Sequence, residues 1–367
     1  MTDVFLFGTL RDPELLERVA GGPVMQEVGA LPWHAIERAA AGDWPILVER
    51  PGAVAQGAVV RLTSEQVARL DYYEAGFAYV RHTARLSNGR PVMLYRAPEG
   101  QGAGVPWDLA EWQETSGPMT RLAAGEAMRF FGQIDGAALH YRMPQIRARA
   151  HSAIRAARSP RPELLRNPAL RASVEILKHE VPYCHYFAVG QTQMRIPHSD
   201  GGAGTEVEWA GLHAADAVTV LPYDPQRDRV LLVEQFRYGI WLRGDTYPWS
   251  LEPIAGRVDA GESFEEAAHR EAGEEAALTL TRLHKIGNYY PSPGVLAEYL
   301  VSYVAEADLP DTLPRLGGLA EENEDLRLHL ISFDQLMELI RTGEANNGPL
   351  LVSALWLQRA REDGTFS

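Results

Sequence analysis

The stretch that decides the fold of the second half of the chain lies between Gly256 and Leu278 and has the sequence GRVDAGESFEEAAHREAGEEAAL. It begins with a glycine-rich turn and continues into a segment dominated by alanine and glutamate. Ser263 is a favourable helix N-cap, and Glu266, three residues later, completes a capping box. Because alanine has the highest helix propensity, we predict a tight turn followed by a helix.

The predicted helix carries a high density of carboxylates. At the helical angle of about 100° per residue, Glu271, Glu274 and Glu275 share one face. Carboxylates at this spacing repel one another by roughly 2–3 kcal/mol per pair. Arg270 can pair with Glu266 and Glu274, whereas Glu271 has only carboxylate neighbours within one turn. The face is either a solvated acidic surface or a site for a hard divalent cation, and the helix alone leaves both readings open.

The spacing of the whole stretch resembles the Nudix box. The matching residues are Gly256, Glu262, the pair Arg270-Glu271 and the pair Glu274-Glu275. The resemblance implies an enzyme that hydrolyses a nucleoside diphosphate linked to another moiety, usually with magnesium. One residue departs from the pattern, because Ala277 stands where the family has a glycine. At the end of a helix a glycine normally takes the left-handed conformation, so this change affects the helix exit and removes no carboxylate.

Composition limits the organisation and the possible partners of the chain. Its 367 residues, of which 46% are hydrophobic, predict two domains with a connecting segment. The net charge of −14 argues against a general nucleic-acid or anionic-membrane binder. Cys184 is the only cysteine, which excludes a Cys-rich zinc site and fits a reducing compartment. We see neither a signal peptide nor an apolar run of membrane-spanning length, and we predict a cytoplasmic protein.

Residues 1–98 predict a small mixed α/β domain that is barrel-like. Val4–Phe7 is a short apolar strand, and Gly57–Leu62, Tyr79–Leu86 and Pro91–Arg96 have the composition of further strands. Between them, Thr63 caps a helix that runs to Glu74.

Two pieces of this domain resemble the γ-glutamylcyclotransferase-like family. They are Phe7-Gly8-Thr9-Leu10 and Leu70-Asp71-Tyr72-Tyr73-Glu74, the second followed by Tyr79-Val80-Arg81. The resemblance implies that Gly8, Thr9 and Leu10 bind the carboxylate end of a substrate and that Glu74 is the acid/base. Phe7 replaces the tyrosine of the family and lacks its hydroxyl group. A catalytic Glu74 needs a raised pKa in a dry pocket, and the alternative is an exposed carboxylate at a helix end.

Residues 99–182 predict a linker followed by an arginine-rich helical connector. Helical patterning covers Met119–Phe131 and Gln145–Ala157, and eight arginines but only one acidic residue lie between Arg142 and Arg171. Such a basic run could bind nucleic acid. We favour a connector that docks the acidic domains against itself, because the run lacks the interleaved aromatic residues of single-strand binders.

Residues 183–367 predict an α/β/α sandwich around a mixed sheet. The predicted strands are Tyr183–Arg195, Val207–Leu212, Ala217–Tyr223, Val230–Gln235 and Leu326–Ile331. A turn around residues 199–202 separates the first two strands, and residues 224–228 connect the third and fourth as a hairpin. Two further helices are predicted at Phe333–Arg341 and Leu350–Arg361. Tyr183, Tyr186 and Phe187 are interpreted as packing residues of the core or of a dimer and not as an adenine platform.

Three accessory motifs resemble the ADP-ribose pyrophosphatase branch of the Nudix family. They are Glu234-Gln235-Phe236-Arg237, Ser292-Pro293-Gly294 and Glu322-Asn323-Glu324-Asp325. The resemblance implies that metal is held by the Ala255 carbonyl, Glu271, Glu275 and Glu324, with Glu274 as a further ligand or catalytic residue. It implies Glu322 as the catalytic base, Arg237 and Glu298 as substrate contacts, and Gly256, Glu262 and Arg270 as structural residues of the box. Without the box, Glu322 and Glu324 would be interpreted as ordinary solvated acids.

The predicted reaction is the Mg²⁺-dependent hydrolysis of ADP-ribose to AMP and ribose 5-phosphate, with Mn²⁺ as an alternative metal. One rival keeps this chemistry and replaces the substrate by GDP-mannose or another nucleotide sugar. A second makes the N-terminal domain the working part, which would cyclise a γ-glutamyl amine or peptide to 5-oxoproline. A third makes that domain a silent sensor or an oligomerisation unit. The resemblance also implies a homodimer, and the same fusion occurs in proteins labelled as tellurite-resistance factors.

Overall fold

The computed structural model describes residues 1–40, 42–97, 102–160, 162–166, 174–198, 200, 202, 204–319 and 324–366. The chain divides into two compact units, Met1–Arg161 and Pro162–Ser367, and each is described by itself. No helix in the described part of the chain combines the length and the apolarity needed to cross a membrane.

The first unit is built on a mixed sheet. Its strands are β1 (Thr2–Leu6), β2 (Gln26–Ala39), β3 (Gly42–Leu62), β4 (Val80–Arg85), β5 (Pro91–Arg96) and β6 (Gly102–Pro106). Within the described residues their spatial order is β4-β5-β1-β3-β2-β6, with β1 antiparallel to β3 and parallel to β5. The mixed α/β class is therefore confirmed, but the barrel-like closure is not found. The strands β4 and β6 lie at opposite edges of this order. In its interior, β2 and β3 pair with each other along most of their length.

The long hairpin of β2 and β3 was not foreseen from the sequence beyond residue 57. Pro32, Pro45 and Pro51 interrupt its pattern, and proline is normally confined to strand edges and bulges. The structure contains such an irregularity between Pro32 and His34, where Trp33 has a φ of 64°.

The helices of the first unit pack on one another as well as on the sheet. They are α1 (Pro13–Ala20), α2 (Ser64–Ala75), α3 (Leu109–Glu114), α4 (Gly117–Ala127) and α5 (Gly136–Ala157). The predicted capping box of α2 is present, with Thr63 and Gln66 each accepting a hydrogen bond from the amide of the other. Helix α4 packs on α1, and α5 packs on both α2 and α4. The helices that the sequence suggested for a connector thus belong to the first compact unit.

Helix α5 is longer than its sequence pattern indicated. It begins at Gly136 and continues through Pro144, whereas the pattern placed the start at Gln145. Its Arg149 is only 1% exposed and donates hydrogen bonds from Nε and Nη2 to Glu126 of α4. At least this arginine of the basic run therefore serves packing inside the unit.

The second unit contains a larger mixed sheet. Its strands are β7 (Glu175–Cys184), β8 (Ala188–Ile196), β9 (Thr205–Asp224), β10 (Arg229–Phe236), β11 (Trp249–Glu252), β12 (Ile254–Arg257), β13 (Leu280–Tyr289), β14 (Leu296–Ala307), β15 (Leu316–Gly317) and β16 (Leu326–Ser332). Strand β9 is its spine, because the first half pairs with β8 and the second half with β10, β12 and β14. The predicted hairpin of β9 and β10 is present. The stretch predicted as one strand from Tyr183 to Arg195 is instead two strands, β7 and β8, joined by a turn at residues 185–187.

Helices cover both faces of this sheet, so the predicted α/β/α sandwich is confirmed. They are α6 (Tyr238–Leu242), α7 (Phe264–Ala276), α8 (Phe333–Thr342) and α9 (Gly348–Glu362). Strand β10 alternates between the two cores. Leu231 and Val233 face α7, whereas Val230 and Leu232 face α8 and α9.

Helix α7 begins and ends as the sequence indicated. Ser263 and Glu266 form the capping box. At the other end Ala277 adopts the left-handed conformation, with φ 52° and ψ 34°. This conformation costs an L-residue with a Cβ roughly 1–2 kcal/mol, so the alanine that departs from the box pattern carries backbone strain.

We expect Ala277→Gly to stabilise the second unit by about 1 kcal/mol, because glycine takes this conformation without the steric cost. The unfolding midpoint should rise by roughly 2–4 °C in differential scanning calorimetry. Ala276→Gly is the matched control. It lies one residue earlier, inside the helix, and should lower the midpoint. Equal effects of the two substitutions would contradict this account of the helix exit.

Candidate active site

The two central carboxylates of the box lie buried between α7 and β12. Glu271 is 9% exposed and Glu275 is 2% exposed. The backbone of β12 passes so close to Glu271 that a Cβ atom at Gly256 would lie 1.8 Å from its Oε1. Gly256 therefore has a steric role, since any other residue would occupy the space of the Glu271 carboxylate.

Burial dominates the electrostatics of this pair. It raises the pKa of Glu271 to about 7 and the pKa of Glu275 to about 9. Repulsion from Glu324 contributes to both of these raised pKa values, and the charge of Glu271 contributes to that of Glu275. Two like charges in a poorly hydrated place are unfavourable unless a proton or a cation compensates them.

The donor set fits a hard divalent cation. The Oε2 atom of Glu275 is buried and has no hydrogen-bond partner within the described residues. The backbone amide of Ala255 lies beside the same carboxylate and opposes the rise in its pKa. Carboxylate and carbonyl oxygens are the ligands that Mg²⁺ prefers. Within the described ranges, however, no three acidic, histidine or cysteine side chains converge into a complete metal centre.

Arg270 holds the box together. It donates to both carboxylate oxygens of Glu262, at 2.8 and 3.0 Å, and to the carbonyl of Arg257 at 2.8 Å. Its Nη1 also contacts Glu271 at 2.7 Å and Glu274 at 2.9 Å. The suggested contact between Glu262 and Arg270 is thus present.

The prediction that Glu271 has only carboxylate neighbours within one turn was wrong. Arg270 is its neighbour in the chain, and the guanidinium of Arg270 curls back to reach it. The pairing of Arg270 with Glu266 is also not observed, because Glu266 caps the helix through Ser263. Glu274 is half-buried and paired with the same arginine.

Arg237 does not present its guanidinium freely to a substrate. Its Nε donates to both oxygens of Glu252 at 3.0 Å, and Glu252 itself is only 4% exposed. Sequence reasoning missed Glu252. Its strand register could have identified it, because Glu252 pairs with Val233, a core residue that faces α7.

A second arginine lies on the same side of the box. The Arg257 guanidinium lies 4.0 Å from the centre of the Tyr186 ring, a cation–π contact. Arg257 and Arg237 both lower the pKa of Glu298, although burial raises that pKa overall. Tyr186 is 50% exposed, and it packs against Arg257. Neither Arg257 nor this contact was singled out from the sequence.

The acidic loop is described only in part. Glu322, the predicted base, lies outside the described residues. Glu324 lies within them, and its backbone amide donates to the Leu319 carbonyl at 3.2 Å. Its charge acts on both Glu271 and Glu275, so the structure brings Glu324 towards the buried pair.

The predicted substrate turn of the first unit follows β1. A Cβ atom at Gly8 would lie 2.6 Å from Cγ of Pro45, so the backbone there leaves no room for a side chain. Thr9 begins a short 3-10 helix, and the side chain of Leu10 is buried in the interior.

A small cavity adjoins this turn. It has a volume of about 160 Å³ and is lined by Phe7, Tyr79 and Arg96 among others. Drug-sized ligands occupy roughly 300–1,000 Å³, so only a compact molecule would fit.

Glu74 is partly buried, and its charge acts on Tyr79, which lines the cavity. Burial raises its pKa to about 8. Its charge adds to the burial that raises the pKa of Tyr79 and of Tyr95, which places the carboxylate close to both rings. The alternative of an exposed carboxylate at the helix end does not describe this residue.

Family models match both halves of the chain. The model described as the NUDIX domain matches residues 213–352. The model described as gamma-glutamyl cyclotransferase, AIG2-like, matches residues 4–114.

Curated relatives match about half of the chain and most of their own length. The ADP-ribose pyrophosphatase of Escherichia coli (strain K12) is 36% identical over 185 residues, which cover 50% of this chain and 88% of the relative. The ADP-ribose pyrophosphatase of Haemophilus influenzae is 34% identical over 187 residues, which cover 50% and 86%. The GDP-mannose pyrophosphatase of Enterobacter sp. (strain 638) is 28% identical over 188 residues, which cover 50% and 95%. A crystal structure of an ADP compounds hydrolase aligns with 20% identity and a TM-score of 0.43, over 55% of this chain and 99% of that one.

We expect Gly256→Ala to weaken Mg²⁺ binding by about 10–100-fold, the range for residues that orient metal ligands. The added methyl group would displace the Glu271 carboxylate. Isothermal titration with MgCl₂ measures the effect. Gly273→Ala is the matched control, since an added Cβ on the exposed side of α7 meets nothing within 4 Å. Unchanged binding by Gly256→Ala would contradict the steric role of this glycine.

Removal of magnesium should make stability depend on pH. The pKa values of Glu271 and Glu275 are raised above their ordinary value of 4.5, to about 7 and about 9. The folded chain therefore holds protons that the unfolded chain releases. This contribution is complete below about pH 4.5, falls as the pH rises above that value and is lost once the pH has passed the folded pKa values of about 7 and about 9. We expect the midpoint of thermal unfolding in EDTA to fall over that window and to fall less in Mg²⁺.

Glu275→Gln provides the control for this titration. The amide cannot ionise, so the variant should show a weaker pH dependence in EDTA than the wild type. If EDTA and Mg²⁺ gave the same profile for the wild type, the buried pair would not be a cation site.

Proposed function

Because the chain belongs to the Nudix family of hydrolases, we propose that its second unit hydrolyses the diphosphate of ADP-ribose with Mg²⁺, to give AMP and ribose 5-phosphate. One observation carries the proposal. Glu271 and Glu275 are buried side by side, with one oxygen of Glu275 lacking a partner within the described residues. An acidic surface helix would have no reason to bury these charges.

The substrate class is supported by the relatives. The ADP-ribose pyrophosphatases are more similar to this chain than the GDP-mannose pyrophosphatase, at 36% and 28% identity. GDP-mannose or another nucleotide sugar is the nearest alternative substrate, and the chemistry at the diphosphate would be the same.

The residues that would hold the metal are Glu271, Glu275, Glu324 and the carbonyl of Ala255, with Glu274 as a further candidate. Bound Mg²⁺, or Mn²⁺ in its place, would neutralise the diphosphate and polarise its phosphorus–oxygen bonds. Arg270 keeps Glu271 and Glu274 on one side of α7, and Glu262 fixes Arg270 in turn. Gly256 leaves the space in which the Glu271 carboxylate lies.

The reaction adds one water molecule across the phosphoanhydride. The water oxygen forms a bond to one phosphorus as the bond from that phosphorus to the bridging oxygen breaks, with the two oxygens in line. We propose Glu322 as the base that accepts the water proton, as the family resemblance implies. The leaving phosphate carries away the bridging oxygen.

Two arginines are suited to the substrate's negative charge. Arg237 is pinned to Glu252, so a phosphate must share its guanidinium with that carboxylate. Arg257 lies against the face of Tyr186, and its positive charge lowers the pKa of Glu298. We propose that both arginines contact the substrate and that Glu298, whose pKa both arginines lower, helps to orient them.

We expect the purified chain to convert ADP-ribose into AMP and ribose 5-phosphate in the presence of MgCl₂, as resolved by ion-exchange chromatography. Glu275→Gln should lower kcat by roughly 10²–10³-fold, because several kcal/mol of charge stabilisation would be lost. Arg257→Gln should lower kcat/KM by about 10–100-fold, the cost of one charge-assisted hydrogen bond to phosphate.

The control for the arginine variant is Arg282→Gln, on an exposed position of β13. GDP-mannose is assayed beside ADP-ribose, and the larger kcat/KM identifies the preferred substrate. The absence of AMP from the wild-type reaction would refute the proposal.

A second candidate function belongs to the first unit. That function is the cyclisation of a γ-glutamyl amine to 5-oxoproline, in which the free α-amino nitrogen attacks the γ-carbonyl carbon and the amine leaves. Phe7 lacks the family's hydroxyl group, so any hydrogen bond from that position to the substrate is missing.

We expect Glu74→Gln to abolish the formation of 5-oxoproline from a γ-glutamyl amine and to leave the formation of AMP unchanged. A base must be deprotonated, so the wild-type rate should rise as the pH increases through about 8. Glu65→Gln, at the exposed start of the same helix, is the matched control. If the wild type forms no 5-oxoproline, the first unit is a ligand sensor or an oligomerisation unit.

We further propose a homodimer and a cytoplasmic location. Of the ten residues of β7 only Cys184 is buried, and Trp209 on β9 is 59% exposed, which suits a sheet extension covered by a second copy. Light scattering on the purified chain measures this, and a monomer at micromolar concentration would exclude it.

A further inference from the structure

The second unit has a cavity on the face of its sheet that α8 and α9 cover, away from α7. It has a volume of about 570 Å³, within the range of roughly 300–1,000 Å³ that small-molecule sites occupy. All of its lining residues belong to the second unit.

The cavity is separate from the carboxylate site because strands alternate. On β11, Trp249 and Leu251 line the cavity, whereas Glu252, the residue after Leu251, lies on the other face and binds Arg237. On β10, Glu234 lines the cavity and Val233 packs towards α7. The two sites thus share strands and have no lining side chain in common.

The interior of the cavity is apolar and its mouth is aromatic. Leu251 and Ile331 form the floor on the sheet, and Leu339 of α8 forms a wall. At the mouth, Trp249 is 59% exposed and Tyr247 is 80% exposed. Such a surface takes a flat or branched apolar group and offers ring faces to a cation.

The charge around the cavity is negative. Glu234, Asp245 and Glu344 line it, and none of its described lining residues is a lysine or an arginine. Glu234 is bonded to His329 at 2.7 Å and lies 3.8 Å from Nη1 of Arg327, and Asp245 is bonded to Arg243 at 3.0 Å.

Two further features leave a net attraction for a cation. Glu344 forms no ion pair within the described part of the chain, and its side chain stands exposed at the rim. Helix α8 ends at Thr342, and Gly343 after it lines the cavity, so the negative end of the helix dipole points there.

We propose that this cavity is a second ligand site, which binds a small amphipathic amine. The apolar part of the ligand packs on the floor of the cavity, and its ammonium group lies at the mouth between the rings of Tyr247 and Trp249 and the carboxylate of Glu344. The inference does not depend on the diphosphatase reaction, because the binding needs neither magnesium nor a nucleotide.

The test uses three probes of similar size and different charge with the full chain in metal-free buffer. They are 2-phenylethylamine, which is cationic at pH 7, neutral 3-phenylpropan-1-ol, and the anion 3-phenylpropanoate. Isothermal titration should give a dissociation constant for the amine of roughly millimolar or tighter. The amine should bind on the order of tenfold more tightly than the alcohol, and the anion should not bind.

Three variants locate the binding. Leu339→Trp fills the cavity and should abolish amine binding, and Glu344→Gln removes the rim charge and should weaken it by about fivefold. Glu338→Gln is the matched control on the same helix, since Glu338 is exposed and paired with Arg341. Because Glu344 is on the surface, its variant keeps the test valid even where Leu339→Trp does not fold.

Several outcomes would overturn the proposal. They are the absence of amine binding, equal binding of the amine and the anion, and wild-type affinity in Glu344→Gln together with Leu339→Trp. The proposal would also be overturned if light scattering showed a dimer that does not bind the amine and that dissociates in the Trp249→Ser variant. The cavity face would then be an interface between two copies of the chain.

Discussion

The second unit depends on keeping two like charges together away from water. Glu271 and Glu275 are one helical turn apart and almost fully buried, which raises the pKa of each carboxyl group. The surrounding elements arrange themselves around this unfavourable pair. Glycine at position 256 leaves room for one carboxylate, Arg270 binds its oxygen from the side, and Glu262 holds the arginine. Under the proposed function, a cation bound in the same place would offset this cost, because it would turn the two repelling carboxylates into ligands.

The charges of the neighbouring arginines, Arg237 and Arg257, are also stabilised by contacts with other side chains. Glu252 would be a buried anion without Arg237, whereas the side chain of Arg237 is partly exposed. Arg257 stacks on the aromatic ring of Tyr186. A guanidinium loses less of its hydration in such a contact than in a pair with a carboxylate. One of these two arginines is therefore held by a buried carboxylate, and the other stacks on an aromatic ring.

The sequence carried the local features of the fold and the box, and less of the long-range ones. The capping residues of α2 and α7, the hairpin of β9 and β10 and the α/β/α layering follow from short-range patterns that tertiary contacts did not override. The hairpin of β2 and β3 was hidden by its prolines, and the open edges of the first sheet depend on strand order, which no local pattern encodes. Glu252 and Arg257 were not identified from the sequence because each acts through a partner that is distant in the chain. The partner of Glu252 is Arg237, and Arg257 stacks on Tyr186.

The alternation of side chains along β10 has a consequence for how this part of the chain can vary. Successive residues of that strand belong to opposite hydrophobic layers, with Leu232 in one and Val233 in the other. Inserting or deleting one residue early in the strand would move every later side chain to the opposite face of the sheet, and would turn Glu234 towards α7. The strand can therefore exchange one apolar side chain for another with modest effect, but its length is fixed in steps of two.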